Sequence, residues 1–274
     1  MPNPPVQATA KSGPRLTGAT FGRQDVQAMT TDHALRARIS RAVTEALQPL
    51  PAVFAGWEGG SAAFGSVDAY SDIDLEYLVA DDASLELLYA AAEEALATVS
   101  PIIARHIPAQ GRYYKLGDGG DFLLVDLIFF RVGDADRHVE AERHGSKVPL
   151  FDKGDWLRPT PLDAEALAVQ RNRRFRELQT WFPMSQVFVR KAILRGQDAE
   201  AVGAFWAYTL RPLAELLRMR YCPARWDFGV RYIDRDLPPA VYSQFRDLAF
   251  TRDLEDLEAK LARGAELLHQ MRAS

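Results

Sequence analysis

Residues 122–130 read Phe-Leu-Leu-Val-Asp-Leu-Ile-Phe-Phe, apolar side chains on both sides of a single aspartate, Asp126. A run this short cannot cross a bilayer, which takes about 20 apolar residues in a helix. Being apolar on both faces of a strand, it is stable only inside a sheet, covered above and below. The segment therefore predicts a central strand and a layered fold built around it. Asp126 is the anomaly. A carboxylate in such surroundings is expensive to bury without a partner. Backbone N–H groups, an arginine or a bound cation would each serve.

The neighbouring segments fit a sheet. Residues 111–116 read as a second strand, joined to the first through Gly117, Asp118, Gly119 and Gly120, a strong turn signal. Asp121 adjoins that turn and stands an odd number of residues from Asp126, so a regular strand would point it the other way. Residues 72–79 alternate acidic and apolar side chains at first, which is strand periodicity. Residues 52–57 and 102–107 are further strand candidates. Between them lie two helical patterns. In residues 33–48, Leu35, Ile39, Val43 and Leu47 form one stripe, closed by Pro49 and Pro51. A second pattern runs to Val99, with Asp81 and Asp82 as candidate caps and a face of Leu85, Leu87, Leu88, Ala91, Ala92 and Leu96.

From residue 156 onward long helical patterns take over, at 162–181, 184–194, 198–220 and 254–272. Gly196 and Pro223 punctuate them, and Pro212 is expected to kink or split the third. The organisation predicted is a flexible tail over residues 1–22, a domain over 23–155, and an all-α domain over 156–274. The fold class is α+β: a small mixed sheet with flanking helices, followed by helices alone.

Composition narrows the function. The 274 residues carry a net charge of -4, where a general nucleic-acid binder would be basic, so a long polynucleotide is not the expected partner. One cysteine, Cys222, excludes a disulfide within the chain and suits a reducing compartment. The first residues lack the apolar core of a signal peptide, so a cytoplasmic protein without a membrane partner is expected.

Three segments carry chemistry. Asp72 and Asp74, two apart on a strand, project to one face, while Ile73 and Leu75 face the core. Two adjacent like charges repel, and a divalent cation between them relieves that repulsion. Magnesium favours such oxygen ligands, taking carboxylates together with substrate phosphates. Gly60 and Ser61 follow a short apolar strand. Glycine lets backbone approach a phosphate, and Ser61 at the start of a short helix can hold phosphate oxygens or simply cap that helix. Asp126 supplies a third carboxylate. A phosphate loop, a carboxylate pair and a carboxylate on a buried strand together fit a two-metal phosphoryl-transfer site.

That order of motifs resembles the signature of the DNA polymerase β-type nucleotidyltransferase superfamily, and the stretch GGSAAFGSVDAYSDIDLEYLV is a close match to it. The resemblance covers residues 30–130. It implies that Ser61 and its loop hold the β- and γ-phosphates. It further implies that Asp72 and Asp74 bind two Mg2+ ions, and that Asp126 binds one of them and serves as candidate general base. The helical half is similar in layout to aminoglycoside and lincosamide nucleotidyltransferases. Arg190 and Lys191, early in that half, are candidates to reach the triphosphate, with a solvated helix face as the alternative. The implied activity moves a nucleoside monophosphate, AMP by expectation, from a nucleoside triphosphate to a hydroxyl of a small molecule. An aminoglycoside-like antibiotic is among the acceptors this allows. A protein-modifying enzyme of the toxin–antitoxin type and a non-catalytic nucleotide-binding regulatory module are the competing readings.

Overall fold

A computed structural model of the protein describes residues 33–134 and 140–272. The expected tail over residues 1–22 lies outside the described residues. The chain divides into two compact units. Among the described residues, one takes in those up to 134 and then Lys147–Leu157, and the other takes 140–146 and everything from Arg158.

The first unit opens with α1 (His33–Leu47), β1 (Val53–Glu58), the single turn α2 (Gly60–Ala63), β2 (Ile73–Val79) and α3 (Leu85–Val99). It continues through β3 (Ile102–His106), β4 (Arg112–Leu116), β5 (Leu124–Arg131) and, after the second unit's single turn α4 (Ala141–His144), β6 (Val148–Asp152). The strands form one six-stranded sheet in the order β3-β4-β5-β2-β1-β6. The β2–β5 pair is parallel and its neighbours are antiparallel, so the sheet is mixed. One face packs on α1 and α3. Leu35, Ile39, Val43 and Leu47 of α1 meet Ile73, Leu75 and Tyr77 of β2 and Val125, Leu127 and Phe129 of β5 in a single buried cluster. Ala55, Trp57, Leu78 and Phe130 form a smaller cluster on the opposite side of their strands. β5 is thus central and apolar on both faces, as its sequence required.

Two local expectations are corrected. α3 begins at Leu85 behind Ser84, so Asp81 and Asp82 do not cap it; Asp81 instead accepts a hydrogen bond from the Gly133 N–H at 2.8 Å. Leu87 lies off the buried face, 71% exposed, because the stripe runs through Leu88, Tyr89, Ala92 and Leu96. β6 has no counterpart in the sequence reading. It is a short, mostly exposed edge strand containing Pro149, which edge position tolerates because that ring lacks an N–H.

The second unit is helical: α4, α5 (Ala164–Leu194), α6 (Asp198–Phe205), a π-helical segment (Trp206–Leu210), α7 (Arg211–Tyr221), a 3-10 turn (Pro223–Arg225), α8 (Ile233–Asp236), α9 (Pro239–Ala249) and α10 (Leu254–Arg272). Two expected helices are here one. α5 runs unbroken through Pro183, since Leu178 and Phe182 before the proline and Val189 and Ala192 after it are all buried in this unit. Pro212 acts differently from a simple kink. Having no N–H, it leaves the Tyr208 carbonyl, four residues back, without its helical donor. The chain widens into the π segment just before it, and the Gln186 side-chain amide donates to that carbonyl at 2.8 Å.

Candidate active site

The parallel register of β2 and β5 fixes the site. Ile73 pairs with Val125, Asp74 with Asp126, and Leu75 with Leu127. The apolar members enter the buried cluster, so the two carboxylates stand beside one another on the other face. Asp72 lies one residue before β2, and its Oδ1 accepts from the Leu124 N–H at 3.3 Å, which ties the entry of β2 to β5. Arg36 of α1, nearly buried, clamps the same corner from below. Its guanidinium donates to the carbonyls of Ser71 at 2.5 Å and Asp72 at 2.7 Å. Burial lowers the Arg36 pKa, while Glu58, Asp74, Asp72 and Asp68 act to keep it charged.

The loop after β1 closes on these carboxylates. The Gly59 N–H donates to the Asp74 carbonyl at 2.9 Å. Gly60 then adopts φ +51°, and a Cβ there would lie 1.8 Å from Asp74 Oδ2. No side chain fits, and an L-residue would also be strained at that φ. A Cβ on Gly59 would meet Glu76 Oε1 at 2.4 Å. The two glycines thus let backbone lie directly against the acidic row. Ser61 follows inside α2 rather than capping it, the cap position being Gly59.

The electrostatics are unfavourable for the protein by itself. Asp126 is pushed up to about 6, first by burial and then by Asp74 and Asp72, with a hydrogen bond from the Tyr113 hydroxyl acting against them. Glu76, next along the same face of β2, is pushed up to about 7 by burial first. The Trp57 indole N–H, donating to Glu76 Oε2 at 2.5 Å, and Lys147 partly offset this, and Asp74 and Asp126 add to it. Lys147 also lies over the Trp57 ring, 4.4 Å from its centroid.

The site has two orphan oxygens. Ser61 Oγ and Asp126 Oδ1 are buried and have no hydrogen-bond partner among the described residues. Buried polar atoms are nearly always paired, so an unpaired hydroxyl and an unpaired carboxylate oxygen in one site suit a ligand that accepts from one and is bound by the other. Among the described residues no group of three or more acidic, histidine or cysteine side chains could hold a metal ion. Magnesium does not require such a cage. It commonly uses one or two carboxylates and completes its shell with substrate phosphates and water, which Asp74 and Asp126 suit.

Five of the residues singled out from sequence, Gly60, Ser61, Asp72, Asp74 and Asp126, therefore lie in the sheet unit. Lys191 and Arg190 are exposed on α5 in the helical unit. Arg36, Glu76 and Tyr113 join the site without having stood out in the sequence. Glu76 had a signal, since period two places residues 72, 74 and 76 on one face.

No family model and no curated protein matches the chain. Solved structures similar to it include an aminoglycoside 6-adenyltransferase from Bacillus subtilis (12% identity, 86% of this chain and 88% of that chain, TM-score 0.35). A spectinomycin adenyltransferase AAD(9) from Enterococcus faecialis with ATP and spectinomycin is similar at 9% identity, 88% of each chain and TM-score 0.36. A STING-associated CdnE c-di-GMP synthase from Capnocytophaga granulosa is similar at 17% identity, 88% of this chain and 81% of that chain, TM-score 0.32. Among the described residues no helix is long and apolar enough to cross a membrane.

Proposed function

We propose that the protein is a magnesium-dependent nucleotidyltransferase, moving a nucleoside monophosphate, AMP by preference, from a nucleoside triphosphate to a hydroxyl of a small molecule. The observation that carries this reading is the in-register pair Asp74 and Asp126, set against a glycine loop whose serine hydroxyl has no partner among the described residues.

Ser61 Oγ donates to an oxygen of the β- or γ-phosphate, and the backbone at Gly60, unshielded by a side chain, lets the triphosphate lie close to Asp74. Asp74 and Asp126 are the residues that would hold magnesium, with Asp72 beside them at the entry of β2. That ion, when bound, supplies neutralisation of charge on the phosphates and a lower pKa for the acceptor hydroxyl. The acceptor oxygen attacks the α-phosphorus in line, the bond from that phosphorus to the bridging oxygen breaks, and pyrophosphate leaves. The proton of the acceptor hydroxyl passes to Asp126, the carboxylate with a buried oxygen that no described residue partners. Arg36 contributes by fixing the backbone at Ser71 and Asp72, so the carboxylates are preorganised rather than gathered by the substrate.

The test is incubation with labelled ATP, Mg2+ and a panel of aminoglycosides, lincosamides and nucleosides, with mass spectrometry of the products. One added nucleotidyl unit and released pyrophosphate, both absent in Asp74→Asn, are expected. Transfer that survives intact in Asp74→Asn would overturn the assignment.

A further inference from the structure

Four side chains stand in a line across one face of the sheet. Asp74 of β2 pairs with Asp126 of β5, Asp126 with Tyr113 of β4, and Tyr113 with His106 of β3. Residues opposite one another on neighbouring strands share a face. The glycine loop adjoins the Asp74 end, where the Gly59 N–H meets the Asp74 carbonyl. The other end carries two exposed rings, His106 and Tyr113, stacked with centroids 6.3 Å apart and planes 28° from parallel. The core does not need these rings. It takes the alternate residues, Arg112 and Tyr114, which are buried on the opposite face and hydrogen-bonded to Glu93 of α3. Tyr113 stands opposite Asp126 in the β4–β5 register, close enough for its hydroxyl to act on the Asp126 carboxyl.

In-line displacement puts the attacking and leaving oxygens on opposite sides of the phosphorus. With pyrophosphate held at the Gly60 and Ser61 end of the line, the acceptor hydroxyl must arrive over Asp126 from the Tyr113 and His106 end. We propose that His106 and Tyr113 form the acceptor platform, taking a hydroxylated ring against their exposed faces, and that the Tyr113 hydroxyl positions Asp126 toward it. The inference rests on the nucleotidyl-transfer reading of the same site. The C–H face of such a ring packs on the stacked aromatics, and a cationic substituent gains from the ring faces.

The experiment uses full-length protein, ATP with Mg2+, and glucose, myo-inositol, spectinomycin, streptomycin and kanamycin as acceptor probes. Mg·ATP binding is measured separately by calorimetry. The wild type should transfer to at least one ring. His106→Ala should raise that acceptor's KM about tenfold, and Tyr113→Phe should lower kcat about tenfold, while the KM for ATP stays within about twofold in both. A purely structural role would not split the two KM values in this way. An unchanged acceptor KM in His106→Ala, or equal changes in both KM values, overturns the platform. So does a wild type that binds Mg·ATP but transfers to none of the rings. A wild type that does not bind Mg·ATP removes the transferase reading itself, and the platform with it, and calorimetry makes that failure separately visible.

Discussion

Asp74 and Asp126 occupy the same level of two adjacent parallel strands, so two carboxylates that are far apart in sequence are held side by side by main-chain hydrogen bonds. Nothing in the packing of β2 and β5 requires acids there. Their alternate neighbours, Ile73, Leu75, Val125 and Leu127, already bury fully. Such an arrangement costs stability, and the proposed transfer reaction gives it a use. Asp126→Asn and Asp74→Asn are therefore expected to reduce transfer about a thousandfold. In magnesium-free buffer each should raise Tm by about 2–4 °C, because a repelling charge is removed without loss of volume. Activity assays paired with thermal melts check both signs at once.

The pH dependence follows from Glu76. Its pKa in the folded protein, about 7, exceeds the ordinary carboxylate value, so between the two the folded state binds more protons than the unfolded state. Stability from this group is complete at low pH and is lost as pH rises through 7. Glu76→Gln keeps the acceptor for the Trp57 N–H but cannot ionise. Without magnesium, the variant and the wild type should melt at similar temperatures near about pH 4.5 and diverge by about pH 8, with the variant the more stable. Equal melting temperatures across that range would contradict the burial of this carboxyl.

Gly60 allows no side chain. Its φ of +51° and the 1.8 Å that would separate a Cβ from Asp74 Oδ2 act together. Gly60→Ala is expected to cost about 1–3 kcal/mol of stability and to weaken triphosphate binding, since either the loop or the Asp74 carboxylate must shift to relieve the clash. Gly65, also at positive φ but with open space around it, is the control: alanine there carries the backbone strain alone. Urea titration and nucleotide affinity of the two variants should separate them.

Arg36→Met tests the support beneath the site. The substitution fills the same space but leaves the Ser71 and Asp72 carbonyls without their donor, at a cost of about 1–3 kcal/mol. Transfer should fall with kcat affected more than the KM for ATP, because Arg36 fixes the entry of β2 rather than touching the nucleotide. A variant with the stability loss but unchanged kcat would show that the clamp is purely structural.

Much of this was legible in the sequence, and the gaps have physical causes. Strong periodicity disclosed α1, β2 and β5, and the buried run around Asp126 marked a central strand because only a covered strand tolerates apolar side chains on both faces. The register that sets Asp74 opposite Asp126 was not readable, since it is fixed by pairing between strands distant in sequence. Arg36 escaped notice because it sits one residue from Leu35, on the flank of the apolar stripe, and its value lies in two distant carbonyls. β6 escaped because Pro149 and its exposure remove the usual strand signals. The continuity of α5 through Pro183 reflects burial on both sides of the proline, which outweighs local propensity. The π segment answers Pro212 through Gln186, a residue on another helix.

The central claim is that these carboxylates and the serine loop bind a magnesium-complexed nucleoside triphosphate. Calorimetric titration of a non-hydrolysable ATP analogue, with Mg2+ and with chelator, into the wild type and Asp74→Asn tests it most directly. Binding by the wild type that requires Mg2+ and weakens at least about a hundredfold in Asp74→Asn is the result predicted. Equal binding by both proteins, or binding indifferent to Mg2+, would contradict it.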